Sequence, residues 1–534
     1  MMASLDRQRG AALLIMMLLV LVAASATLVT RLNSNAGRAQ QLSETQEVLA
    51  MARRALMDYA AVYPDLTPGA AALLPCPDRD NSGGYLEGAA HADACGSRGE
   101  TVMGRLPWRS LGIRPLKDSG GACLWYVVSG DYKDAGSSTA EMLNPDANGH
   151  LQLHGIEAAS VIAGAQADDR PVAMIIAPMH GINGQSRAAP SVTGGQCSTS
   201  FNAADFLEAD TLSGISNATV SGAADVIELF ATAAGYNAAH NDRIAIITRA
   251  DLANVVEKRH DFDSNMRALG LAVAACVADY ARNNPGGGTP GGGPPGGGPP
   301  GGGPPGVGPG GNGPPGVGPD GNGPPGGGPP GGWPPGGGPP GGGPPGAGND
   351  YRLPWPAPLS LVDYRIDTAY DDVDASLLSG RLPDIVDDSS AATGNPMGQL
   401  LAACDPIAVP AWSPQMLSTW RNWKDHFFYA VAESYSPSAP APTSCSSCLT
   451  VNGAGEYAAI VLFAGARIPS LAQIRNAPPM DTDTKGNPSN YVEDINATSI
   501  PYTSGSVDFK SQAATSTFND LLFCIDDSLN VSEC

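Results

Sequence analysis

Few stretches of this chain combine residue types that could do chemistry. The densest is Cys76-Pro77-Asp78-Arg79-Asp80-Asn81-Ser82-Gly83-Gly84, followed by Glu87 and Cys95. Oxygen ligands at alternate positions, with a glycine in sixth place, match the opening of a calcium loop, because a hard cation needs converging oxygens around a tight turn. Asp78, Asp80, Ser82 and Glu87 are therefore the candidate calcium ligands. Glu87 comes two places earlier than a helix–loop–helix site requires, and no helical pair flanks it. A solvated loop closed by Cys76 and Cys95 is the competing reading. Cys445-Ser446-Ser447-Cys448 has redox spacing, yet it follows a proline-rich run and opens no helix that would lower a thiol pKa, so it reads as a structural disulfide. His150 and His154 lie four apart with Glu157 beyond, but Leu151-Gln152-Leu153 alternates like a strand, a poor platform for one metal. No nucleophile elbow, zinc-protease helix, phosphate loop or dinucleotide fingerprint occurs. The chain is not expected to be an enzyme.

Composition sets the surroundings of these residues. A formal charge of −22 argues against nucleic acid as a partner and leaves divalent cations open. Ten cysteines point to an oxidising compartment. Cys76, Cys95, Cys123, Cys197, Cys445, Cys448, Cys524 and Cys534 are the disulfide candidates, with connectivity left open.

The element that would position everything else is N-terminal. Arg7-Gln8-Arg9-Gly10 precedes an uncharged apolar run from Ala11 to Thr30. As a helix at about 1.5 Å per residue, such a run would match the ~30 Å hydrocarbon core of a bilayer. The expectation is a single-pass inner-membrane protein with its C-terminal bulk periplasmic or extracellular, since Arg7 and Arg9 favour a cytoplasmic N-terminus. From Leu42 the stripe Leu42, Leu49, Leu56 and Tyr63 continues the helix amphipathically, and Pro64 and Thr67-Pro68-Gly69 end it.

This leader and helix resemble the N-termini of type IV pilins and type II secretion pseudopilins. The resemblance implies cleavage by a prepilin peptidase between Gly10 and Ala11, and partners that are other pilin or pseudopilin subunits as well as the membrane. Most members carry Glu at the fifth mature position, which is Ile15 here. Subunits that lack it are typically minor ones at the filament tip. The resemblance covers about fifty residues. Two functions follow: a minor pilin- or pseudopilin-like structural subunit, or a membrane-tethered binding protein that never polymerises.

Beyond the helix the pattern runs twice. Met266–Asn283 echoes Leu49–Tyr63, each with an Asp-Tyr-Ala tail. Arg352-Leu-Pro-Trp355 echoes Arg105-Leu-Pro-Trp108. His426–Val431 answers the strand at Leu124–Val128, and Ala458–Ala464 answers Val172–Ala177. Tyr491-Val-Glu493 echoes Phe206-Leu-Glu208, and Leu521–Ile525 answers Ile244–Ile247. The stretches Asn202–Asp210 and Asp225–Ala233 read as short helices or loops. The expected fold is α+β: a long N-terminal membrane-spanning helix, then two tandem related helix-plus-antiparallel-sheet modules. The expected boundaries are a leader at 1–10, a transmembrane helix at 11–31, and an amphipathic continuation at 32–63. A first module then spans 64–262, the second module's helix 263–284, a disordered Gly/Pro-rich insertion 285–349, and the remainder of the second module 350–534. The insertion repeats every five residues, which excludes a collagen helix, and it has no apolar area to bury. If the duplication holds at each Leu-Pro-Trp, Trp108 and Trp355 should be buried against the helix ends at Tyr59 and Tyr280.

Overall fold

The computed structural model describes the chain from Leu5 to Cys534. Outside the described residues lie 284–350, the loop segments 68–71, 80–85, 92–94, 135–142, 156–159, 189–195, 223–225, 232–239, 388–398, 440–444 and 476–481, and a few single positions. The Gly/Pro tract falls within the first of these.

Helix α1 spans Leu5–Leu66. Thr45, Leu49, Ala52, Leu56, Ala60 and Tyr63 are its buried side chains, spaced three or four apart, so one face enters the core. Pro64 does not stop the helix. A proline in the final turn forfeits one hydrogen bond there, and Thr67 N–H still donates to Tyr63 O at 2.9 Å.

The membrane-spanning expectation is corrected. Among the described residues, no helix is long and apolar enough to cross a membrane. The transmembrane segment at 11–31 and the single-pass inner-membrane location are therefore not supported. The architecture is mixed α/β.

Module one holds β1 (Val102–Arg105), β2 (Trp125–Val128), β3 (Leu151–Gly155), β4 (Val161–Ala163), β5 (Pro171–Ala177), β6 (Ile227–Ala231) and β7 (Arg243–Thr248). Its main sheet has the order β1-β2-β5-β7, antiparallel throughout, with β5 buried along its whole length. A second sheet, β4-β3-β6, pairs β3 and β6 in parallel. Ile227–Ala231 is thus a strand: Ile227 and Leu229 reach inward beside Leu151 and Leu153, and this tertiary burial prevails over the weak local pattern. Helices α2 (Arg249–Glu257) and α3 (Phe262–Asn283) follow.

Module two holds β8 (Ser379–Arg381), α4 (Pro414–Trp423), β9 (Phe427–Val431), β10 (Leu449–Val451) and β11 (Ala454–Phe463). After these come α5 (Thr482–Lys485), α6 (Asp494–Thr498), β12 (Asp508–Phe509), β13 (Leu521–Asp526) and β14 (Val531–Glu533). Its sheet includes the path β8-β9-β11-β13, again antiparallel, with β14 added at one edge. β10 pairs β12 in parallel, so neither module is built on antiparallel pairing alone.

The paths β1-β2-β5-β7 and β8-β9-β11-β13 share order, direction and register. Arg105 faces Trp125, which faces Ile176, which faces Ile244; Arg381 faces Phe428, then Leu462, then Leu522. Helix α1 packs on β5 and β7, and α3 on β11 and β13. The same register corrects the Leu-Pro-Trp pairing. Each module has two Leu-Pro steps. Leu74 N–H donates to Tyr132 O at 2.8 Å and Leu353 N–H to Tyr435 O at 2.9 Å, so Leu353 is the counterpart of Leu74. The counterpart of Gly104-Arg105-Leu106-Pro107 is Gly380-Arg381-Leu382-Pro383. A Cβ on either glycine would collide with a passing carbonyl, Asp78 O in one module and Ala357 O in the other. Trp355 is buried in module two's core, whereas Trp108 is half-buried against Gly88 and beneath Arg109. The two tryptophans do not perform one job twice.

Candidate functional site

Helix α4 begins at Ser413, whose hydroxyl accepts from Met416 N–H, and runs straight into Lys424-Asp425-His426 and β9. Trp420 and Trp423 pack on Phe427 and Phe463 and hold that junction rigid. It carries Asp425 and His426 into the interior, 0% and 1% exposed. Lys485, at the end of α5, is equally buried. The fourth member, Asp146, comes from module one, on a loop that docks through Asn144 and Leu143.

The distances define a closed charge cluster. Asp425 Oδ1 accepts from His426 Nδ1 at 2.8 Å and from Asn144 Nδ2 at 2.7 Å, while Oδ2 accepts from Lys485 Nζ at 2.8 Å. Asp146 Oδ2 lies 3.1 Å from His426 Nε2 and 3.9 Å from Lys485 Nζ. Arg249 Nη1 donates to Asp146 O at 2.8 Å, fixing the loop. Burial alone would raise both carboxyls, but Lys485 and His426 outweigh it, leaving Asp146 at about 2 and Asp425 lower still. Burial would likewise depress His426 and Lys485, and the two carboxylates instead raise both.

Asp146, Asp425 and His426 stand close enough together to hold a metal ion. The Lys485 ammonium already stands as a cation in that group, 2.8 Å from Asp425 Oδ2, and both imidazole nitrogens of His426 lie against carboxylates, Nδ1 against Asp425 and Nε2 against Asp146. The arrangement is an inter-module clasp. Its chemistry is used in cohesion.

Module one has a cleft at the equivalent place. Arg187 matches Arg475: their Nη2 atoms donate to Phe206 O at 3.1 Å and Tyr491 O at 2.9 Å, and to Gln185 Oε1 at 2.8 Å and Gln473 Oε1 at 3.1 Å. Beneath them lies a repeated carboxylate pair. Asp242 Oδ2 accepts from Glu208 N–H and Asn217 Nδ2 at 3.1 and 3.0 Å; Asp520 Oδ2 accepts from Glu493 N–H and Asn496 Nδ2 at 3.0 and 2.9 Å. Burial pushes Glu208 up to about 7 and Asp242 and Asp520 well above the usual range. The clefts then diverge. By register Asp425 corresponds to Ala122, and Cys123 in the place of His426 is bonded to Cys197. What module two fills with charge is, in module one, a cavity of about 180 Å³.

The other expected site residues are dispersed. Gly10 and Ala11 lie within α1. Asp80 and Ser82 fall outside the described residues. Asp78 is buried, and its Oδ2 accepts from Gly88 N–H at 2.8 Å; the Glu87 carboxylate accepts from Gln196 N–H at 2.9 Å and from Cys197 N–H. The two are thus directed to different backbone groups. His150 pairs with Asp131 at 3.5 Å and His154 with Glu228 at 3.1 Å, so these histidines share no ligand. The disulfides are Cys76–Cys95, Cys123–Cys197, Cys276–Cys404, Cys445–Cys448 and Cys524–Cys534. Cys276 and Cys404 were absent from the sequence candidates: Cys276 hides in the α3 pattern, and its partner is 128 residues away. No family model, curated protein or solved structure matches the chain.

Proposed function

We propose that the chain is a pilin- or pseudopilin-like structural subunit, assembled through its N-terminal helix and displaying the two sheet modules. The observation that carries this reading is the row Leu13–Val22 on α1, with every large apolar side chain 58–70% exposed. An apolar surface of that length demands a cover. The equivalent helices of neighbouring copies offer one, in the packing that the resemblance of Arg7-Gln8-Arg9-Gly10 and its apolar run implies. Ile15 in place of the usual Glu fits a minor subunit at a filament tip. The clasp fits the same role, because a displayed pair of modules joined by buried ion pairs resists separation.

The test is intact-mass spectrometry of the protein from its native host. The reading expects Ala11 as the first residue and expects Gly10→Glu to block processing by a prepilin-type peptidase. A cysteine at Leu18 should then cross-link copies of the processed chain. A native protein that keeps Met1, or is cut near Thr27, contradicts the proposal.

A further inference from the structure

A cavity of about 310 Å³ lies between the two modules. Leu143, Leu252 and Tyr132 on its wall belong to module one's core, and Phe262, Met266 and Trp423 belong to module two's. Half-buried Val256 and Met416 add to the apolar lining. The cavity continues the clasp, because Leu143 N–H donates to Asn422 Oδ1 at 3.2 Å and the wall residues Leu143–Pro145 lead directly into Asp146. Its charges cancel. Among the described residues the lining holds two arginines and two aspartates. Arg259 Nη2 lies 2.5 Å from Asp65 Oδ1 and 2.9 Å from Asp261 Oδ2, while Arg249 Nη1 donates to Asp146 O at 2.8 Å. Three polar wall residues also spend their donors within the protein: Tyr132 Oη on Ala147 O, Asn144 Nδ2 on Asp425 Oδ1, and Thr419 Oγ1 on Gln415 O. An ion entering here would give up water for partners that are already paired; a neutral apolar molecule would not.

We propose that this cavity is a binding site for a small neutral aromatic molecule, held between the two modules. Its volume stands at the lower end of the roughly 300–1,000 Å³ usual for small-molecule sites, which favour the places where domains meet. The Phe262 and Trp423 rings, tilted and 5.4 Å apart, suit a further ring, and the thioethers of Met266 and Met416 adapt to aromatic partners. An unfilled apolar space forfeits dispersion contact along its walls, and a fitting ring restores it. Occupancy thereby adds apolar contact across the same boundary that the clasp holds. The site is independent of the filament reading, because it rests on the contact between modules alone.

The experiment is titration of the full chain by calorimetry with indole, indole-3-carboxylate and protonated tryptamine, which share one ring system and differ in charge. Indole should bind, and each ion should bind about tenfold more weakly or not at all. Ala253→Phe, a change at a half-buried wall position on α2, should fill the space and weaken indole about tenfold or more. Should that variant fail to fold, Thr419→Phe on α4 fills the same space from another element, with the same expected loss. Indole held instead by the exposed row Leu13–Val22 would survive both changes. Indole binding that weakens as the chain is concentrated would assign the cavity to a second copy. That result, no binding of indole, equal binding of indole and either ion, or undiminished binding by either folded variant overturns the proposal.

Discussion

Arg105 and Arg381 occupy the same register position in two sheets of the same wiring, yet their surroundings differ in kind. Around Arg381 the chain supplies Asp425, Lys485 and His426, and borrows Asp146 from the other module. Around Arg105 it supplies Ala122, a disulfide and a cavity. The shared part is what builds the fold: the antiparallel strand path, the Gln–Arg pair, and the carboxylate pair below it. The divergent part sits where the sheet's loops meet something else. One module uses that place to hold its neighbour, and the other leaves it open.

The largest effect should come from removing the charge that only module two has. Asp425→Ala leaves Lys485 and His426 buried beside one remaining carboxylate, which should cost about 3–5 kcal/mol. Ala122→Ser at the equivalent position should change stability by about 0.5 kcal/mol or less. Calorimetric unfolding of both variants checks this, and similar losses would break the comparison. Next comes Asp146→Asn, which keeps the shape but withdraws module one's charge from His426. A loss of about 2 kcal/mol is expected, together with a larger radius by small-angle scattering as the modules loosen. A third test probes what the modules share. Gln185→Ala and Gln473→Ala should each cost about 1–2 kcal/mol, because both glutamines accept from an equivalent arginine and from backbone.

The smallest difference is spread along pH, with opposite signs. Asp146 is depressed from 3.8 to about 2, so its contribution is present above pH 3.8 and is lost as pH falls through about 2. Glu208 is raised from 4.5 to about 7, so its contribution is full below pH 4.5 and is lost as pH rises through about 7. Glu257, Asp242 and Asp520 shift in the same direction as Glu208. Melting temperature should therefore fall at both ends. Asp146→Asn should flatten only the acid limb and Glu208→Gln only part of the neutral one; a variant that flattens the opposite limb would contradict the assignment.

Much of the strand series was legible because Trp125–Val128, Val172–Ala177, Phe427–Val431 and Ala458–Phe463 are dense in β-branched and aromatic residues. Ile227–Ala231 was not, since its strand state comes from pairing with β3 and not from its own pattern. The Leu-Pro repeats were visible but pointed to the wrong partner. The glycine before Arg105 and Arg381 was the better signal, for it marks the close approach of a carbonyl. The apolar run after Gly10 read as a membrane span from composition, whereas among the described residues no helix is long and apolar enough to cross a membrane. The clasp gave no signal at all. Asp146, Asp425, His426 and Lys485 are common residues scattered along the chain, and only the docking of two modules makes them neighbours.

The central claim is that module one's acidic loop completes module two's buried charge cluster. A double-mutant cycle between Asp146→Ala and His426→Gln, read by denaturant unfolding, measures that completion directly. The account predicts a coupling of about 1–3 kcal/mol across the module boundary, as for residues within one ion-pair network. Additive losses, agreeing within about 0.3–0.5 kcal/mol, would show that the two residues act independently and would contradict it.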